Sequence, residues 1–206
     1  MTFIFFLQLV LPLFLIAWIA LAPISRKLGF FCQVIGTATG LFALALTGLW
    51  LFPPWWSPYA FAILLVAAVF TGWRRWQPLA ARLPSGWKDW IFTAVFIAIG
   101  GCGVLQSANA LAGRVPQAGT TVDLAFPLKG GTFLVVNGGS HINVNAHLMT
   151  LDESMARFHA YRGQSYGVDI VKLDTWGLRA NGLQPSAPAA YDIYGVPVSA
   201  PVAASC

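Results

Sequence analysis

The sequence predicts a multi-span α-helical membrane domain, with about four transmembrane helices, followed by a small, mostly β domain outside the cytoplasm. Three observations predict it. Of 206 residues, 57% are hydrophobic and only 9% charged, with mean hydropathy +0.68, whereas soluble domains carry about 25% charged residues. Long uncharged apolar runs are confined to residues 1–113. After residue 113 the pattern changes to short strand-like runs broken by Gly-Gly, Asn-Gly-Gly and proline.

Hydrocarbon offers the backbone no hydrogen bonds, so a span needs a helix of about 20 apolar residues. Four runs qualify: 2–22, 28–52, 54–73 and 90–113. Gln33 is the most polar side chain of the second. The third is entered through the interfacial aromatic cluster PPWWSPY, and the fourth ends in the more polar QSANALAG. The first loop carries Arg26 and Lys27, the second carries no charge, and the third carries Arg74, Arg75, Arg82 and Lys88. Basic loops stay in the cytoplasm. Loops one and three are therefore inside, and both termini are outside. The net charge of +5 then reflects cytoplasmic loops rather than a nucleic-acid surface.

Ala20-Leu21-Ala22 resembles a signal-peptide cleavage site. A signal peptide places its positive charge before the apolar core, whereas here Arg26 and Lys27 follow it, so the first run is expected to remain as a span. Gly36 and Gly40 form a G-x-x-x-G pair, and Gly100, Gly101 and Gly103 cluster in the fourth run; both patterns suit close helix packing. None of the four runs contains Asp, Glu, Lys, Arg or His, which argues against a transporter or pump. Cys32 and Cys102 lie in apolar runs, Cys206 is the last residue, and no pair has zinc-knuckle or redox spacing.

Residues 114–121, RVPQAGTT, read as a linker, and 122–206 as a β module. Strands are expected in VDLAFPLKGG, at 132–136 of TFLVVNGG, in YGVDIVKLD and, interrupted by Pro197 and Pro201, in YDIYGVPVSAPVA. In YGVDIVKLD a carboxylate, Asp169, sits inside an apolar run, in a chain with seven acids. Such a group needs a hydrogen-bonding neighbour or a cation.

FPLKGGTFLVVNGGS, NAHL, RGQSYGVDIVKL, WGLRANGL and YDIYGVPVSAPVA, taken in order, resemble the first half of a lysostaphin-type zinc metallopeptidase domain, the duplicated hybrid motif fold, and its membrane-anchored bacterial members in particular. The resemblance spans roughly residues 122–204. It implies cleavage of peptidoglycan peptides with one Zn2+ ion, in a multi-pass protein of the bacterial cytoplasmic membrane whose C-terminal domain lies outside. The family's metal site combines His-x-x-x-Asp on one strand with a later His-x-His. Asp169 matches the Asp of the first motif. Ser165 stands where its His would be, and neither Ser165 nor Gln164 is a good zinc ligand. The resemblance makes His147, in NVNAHL, the residue to stand in, because the preceding loop of that fold runs near the same strand. His141 and His159 are weaker candidates. The sequence ends in APVAASC without a His-x-His, so the expectation is a truncated or degenerate site.

Two functions follow as expectations. One is a membrane-anchored cell-wall metallopeptidase-like protein with an incomplete zinc endopeptidase domain. The other is a non-catalytic membrane protein whose β domain binds cell wall or a partner enzyme. The lipid bilayer is a partner of either. Other classes lack their residues. GGCG lies within a span and cannot cradle phosphate, and Ser140-His141 has no acid placed to orient the histidine. The outer basic residues Arg114, Lys129, Arg157, Arg162, Lys172 and Arg179 are scattered, unlike a nucleic-acid footprint. A module of about 85 residues has little core and an open sheet edge. Its last ten residues are therefore expected to be poorly packed, or the edge covered by a partner.

Overall fold

The computed structural model describes residues 2–22, 26–76, 83–115, 124–183 and 185–200. Four of its helices are long and apolar enough to cross a membrane: Phe3–Leu21, Lys27–Thr47, Ser57–Arg75 and Trp87–Ala112. The chain divides into two compact units, one of Met1–Gly48 with Trp55–Leu111, the other of Leu49–Pro54 with Ala112–Cys206.

In the first unit the opening span is built from Thr2–Phe5, a π-helical turn Phe6–Val10, and Leu11–Leu21. Pro12 stands at the start of the last piece. Proline has no N–H and crowds the carbonyl four residues back, and a wider i→i+5 turn just before it relieves both problems. The second helix stops at Thr47 rather than at residue 52, because Gly48 turns extended and Pro53 and Pro54 follow. The third runs Ser57–Trp76 and the fourth Trp87–Ala112. Charges absent from the apolar runs thus sit in terminal helical turns: Lys27, Arg74, Arg75, Lys88 and Asp89.

Polar side chains inside these helices mostly return to their own backbone. Thr39 bonds Ile35 O, Thr47 bonds Ala43 O, Thr71 bonds Ala68 O, Thr93 bonds Asp89 O and Ser107 bonds Gly103 O. A hydroxyl satisfied this way costs little in an apolar surround. Ile63 and Val66, each 71% exposed, typify an outer surface that is apolar rather than polar, as a lipid-facing helix requires. Phe30, Ile19, Phe61 and Phe96 are buried.

The helix ends are tied by arginines. The Arg75 guanidinium donates to the carbonyls of Ala20, Leu21 and Ala22, the unpaired acceptors at the end of the first span. Arg26 donates to Ser85 Oγ at 2.7 Å and lies 4.0 Å from Asp89. Glycines set the helix crossings. A Cβ on Gly36 would overlap the Phe96 carbonyl oxygen, and one on Gly103 would lie 2.7 Å from the Thr39 carbonyl carbon. The second and fourth helices therefore meet backbone to backbone.

In the second unit, β1 (Thr132–Asn137) pairs antiparallel with β2 (Asp169–Leu173). Thr132 faces Leu173 and Val135 faces Ile170, but Asn137, not Val136, faces Asp169. Val136 is thus the extra residue of a β-bulge. Asp169 opens its strand instead of lying mid-strand as the sequence suggested, since Gly167 N–H closes a turn on Gln164 O just before it. Two 3-10 helices, Ala146–Leu151 and Ala156–Gln164, fill the connection. The mostly β expectation is met only by this small sheet and two isolated bridges among the described residues, Leu128 with Val198 and Ala180 with Tyr191. Pro127 and Pro197 remove ladder donors where further strands were expected.

The unit is held by its loops. Gly113 O accepts from Ser140 N–H at 2.8 Å and Ser140 Oγ at 3.2 Å. Arg179 Nε donates to Leu51 O at 3.3 Å, with its guanidinium over the Tyr191 ring. The buried side chains of the unit are chiefly polar: Asn137, Asn145, Thr150 and Ser165. Near the C-terminus, Ser199 N–H bonds Pro127 O while Val198 is 75% exposed; residues 201–206 lie outside the described residues, as do Arg82 and most of the expected linker.

Candidate metal centre

Asn145 starts the local order. It is 1% exposed and is the N-cap of the first 3-10 helix. Its Oδ1 accepts from His147 N–H at 3.0 Å, and its Nδ2 donates to Gly139 O at 3.0 Å and Ser165 O at 3.4 Å. Asparagine suits this position because its short amide satisfies orphan backbone groups on both sides. Asn137, at the end of β1, accepts from Ala146 N–H through Oδ1 at 2.8 Å. The first two N–H groups of the helix that carries His147 are therefore each held by an asparagine.

The result is a His–Asp pair. His147 Nε2 lies 3.2 Å from Asp169 Oδ1, and Asn137 Nδ2 donates to Asp169 Oδ2 at 3.1 Å. The imidazole lies against Gly167, where an added Cβ would approach its Cδ2 to 3.3 Å. The side chains of His147 and Asp169 are 29% and 53% exposed, so the pair is open to solvent and to a ligand. With Asp169 ionised, the bond requires His147 Nε2 to carry the proton.

Ser165, in the place of the expected histidine, points inward. Its hydroxyl lies 2.6 Å from Arg162 O and 2.7 Å from Thr150 Oγ1, which in turn lies 2.7 Å from His147 O. Three short contacts share two hydroxyl protons, and the cluster ties the His147 helix to the segment before β2. Ser165 is thus a fold-holding residue. Gln164 ends the second 3-10 helix. His141 accepts from Asn143 N–H through Nδ1, and exposed His159 contacts Glu153 O. Both are engaged away from Asp169. Asp152 also lies apart; the Ser154 hydroxyl and then its N–H hold that carboxyl below the usual carboxylate range.

An imidazole nitrogen and a carboxylate oxygen are zinc ligands, with bonds of about 2.0–2.2 Å in tetrahedral geometry. Two such ligands on one ion stand about 3.3 Å apart, close to the 3.2 Å seen here. The pair fits half of a zinc site. No group of three or more His, Cys, Asp or Glu side chains able to hold a metal occurs among the described residues. The residues overlooked in the sequence are Asn137 and Asn145. The available signals were an asparagine just before Gly-Gly at a strand end and an Asn-x-His at a helix start.

What fold and site define is a protein with four membrane-length apolar helices and a small hydrogen-bonded unit bearing an open His–Asp pair. No protein-family model matches the chain, and neither a curated protein nor a solved structure matches it.

Proposed function

We propose that this is a membrane-anchored, cell-wall (peptidoglycan) metallopeptidase-like protein, whose outer unit contributes His147 and Asp169 to a zinc ion. The single observation that supports this is the 3.2 Å approach of His147 Nε2 to Asp169 Oδ1, two zinc-type donors from separate segments, each held by an asparagine. The resemblance of residues 122–204 to lysostaphin-type peptidases supplies the substrate class. The basic loops with Arg26, Lys27, Arg74, Arg75 and Lys88 support an extracytoplasmic position for the unit, the side on which cell wall lies. Zinc, when bound, would polarise a peptide carbonyl and acidify a bound water. The chain's own contribution is to hold one imidazole and one carboxylate at ligand spacing and open to solvent. A second reading is a non-catalytic unit that binds wall or a partner enzyme, for which two ligands without a third among the described residues suffice.

The test is zinc titration of the full chain in nanodiscs, with His147→Ala, Asp169→Ala and the double variant. Loss of an outer-shell partner typically weakens metal binding about 10- to 100-fold, and loss of a ligand is expected to cost at least that much. Equal zinc affinity in wild type and double variant would sink the zinc proposal. Incubation with purified peptidoglycan separates the two functions: release of soluble peptides identifies a peptidase, whereas co-sedimentation without release identifies a binding unit. Sidedness has its own test. Trp176 is 78% exposed, and Trp176→Cys in a cysteine-free background is expected to react with an impermeant maleimide in intact cells. Labelling only after lysis would remove the cell-wall assignment.

A further inference from the structure

We infer that Asn137 is the positioning residue of the His147–Asp169 pair, an inference that rests on the zinc half-site proposed above. One side chain reaches Asp169 and the backbone just before His147. Its Nδ2 donates to Asp169 Oδ2 at 3.1 Å, and its Oδ1 accepts from Ala146 N–H at 2.8 Å, one residue before His147. It is 6% exposed, so both bonds are anchored on a buried amide. Occupying Oδ2 leaves Asp169 Oδ1 turned toward His147 Nε2, and holding Ala146 fixes where the imidazole begins. The bulge at Val136 makes this reach possible, because it sets Asn137 across from Asp169. Outer-shell groups of this kind orient metal ligands and set how far they are prepaid in entropy.

The experiment uses the full chain in nanodiscs and two variants. Asn137→Ala removes both bonds. Expected is a zinc affinity about 10- to 100-fold weaker than wild type. In the metal-free protein at a fixed alkaline pH, the 15N shifts of His147 are expected to show a smaller share of the Nε2–H tautomer, because the carboxylate is free to turn away. Zinc affinity and tautomer ratio both unchanged would overturn the inference. So would weaker zinc binding with an unchanged tautomer ratio, which marks a merely structural role. If wild type binds no zinc, the zinc proposal fails while the tautomer ratio still decides the role of Asn137. Asn137→Asp keeps the acceptor on Ala146 N–H, so the start of the helix stays held, but it replaces the donor to Asp169 Oδ2 with an oxygen that repels it. A smaller share of the Nε2–H tautomer of His147 is expected in this variant too, and an unchanged share would overturn the inference.

Discussion

Asn145→Ala is expected to loosen the outer unit more than any other single truncation there. The substitution leaves His147 N–H, Gly139 O and Ser165 O without the partner they now share, and it deletes a helix cap. A cap is worth about 1 kcal/mol, and a buried polar group left unmade costs about 1–3 kcal/mol. With partial relaxation the loss is about 2–4 kcal/mol, or roughly 30- to 1000-fold faster amide exchange. The unit has few large apolar side chains buried to compensate, since its buried side chains are chiefly the polar Asn137, Asn145, Thr150 and Ser165. Hydrogen exchange of the Ala146–Leu151 amides in the intact chain reads the effect. Asn145→Asp keeps the acceptor for His147 N–H but loses both donations, so its exchange should fall between the two. If Asn145→Ala exchanges like wild type, the polar cluster does not hold this unit together.

The second large effect belongs to the membrane-length helices. Gly36→Leu is expected to separate the second and fourth helices, because even a Cβ there overlaps the Phe96 carbonyl. A rigid backbone atom cannot step aside as a flexible side chain does, so the cost should reach the upper end of overpacking, about 3 kcal/mol. Gly101→Leu is the matched control. Nothing lies within 4 Å of a Cβ at Gly101, and leucine suits both a helix and lipid, so stability should stay within about 0.5 kcal/mol. Thermal unfolding of the two variants in the same detergent provides the comparison. A Gly36→Leu protein that melts with Gly101→Leu would mean the crossing is looser than the backbone contacts indicate.

The helical unit was largely legible because its signal is bulk hydrophobicity, which the bilayer requires over a fixed length. Its helix ends were not. Lys27, Arg74, Arg75, Lys88 and Asp89 continue the helices beyond the apolar windows, since a terminal turn leaving the hydrocarbon loses the bar against charge. G-x-x-x-G spacing at Gly36 and Gly40 and the glycine cluster at Gly100 and Gly103 pointed to close packing, and the crossing uses them together with the Phe96 backbone. The outer unit was harder to read. Alternation around Val135 and Ile170 marks the two strands, yet most of the unit is turns held by side chain to backbone bonds, which leave no period. Ser165 illustrates the difficulty at the site. As a sequence letter it is a missing ligand, while in the fold it is 1% exposed and bonded to Thr150 and Arg162. Asp169 was marked by its place in an apolar run and, like His147, named as a ligand through the family resemblance, but the asparagines that aim them carry no metal-ligand signature.

The extra residue at Val136 has an evolutionary consequence. Were the bulge to close with Val136 kept, regular register would set Val136 across from Asp169 and carry Asn137 on to Val168, so that an aliphatic side chain meets the acid. Every donor atom would survive such a slip while the cooperation among them vanished. Loss of the site therefore lies one step of register away, and a relative retaining both asparagines, the histidine and the aspartate should be judged by its strand pairing before its letters.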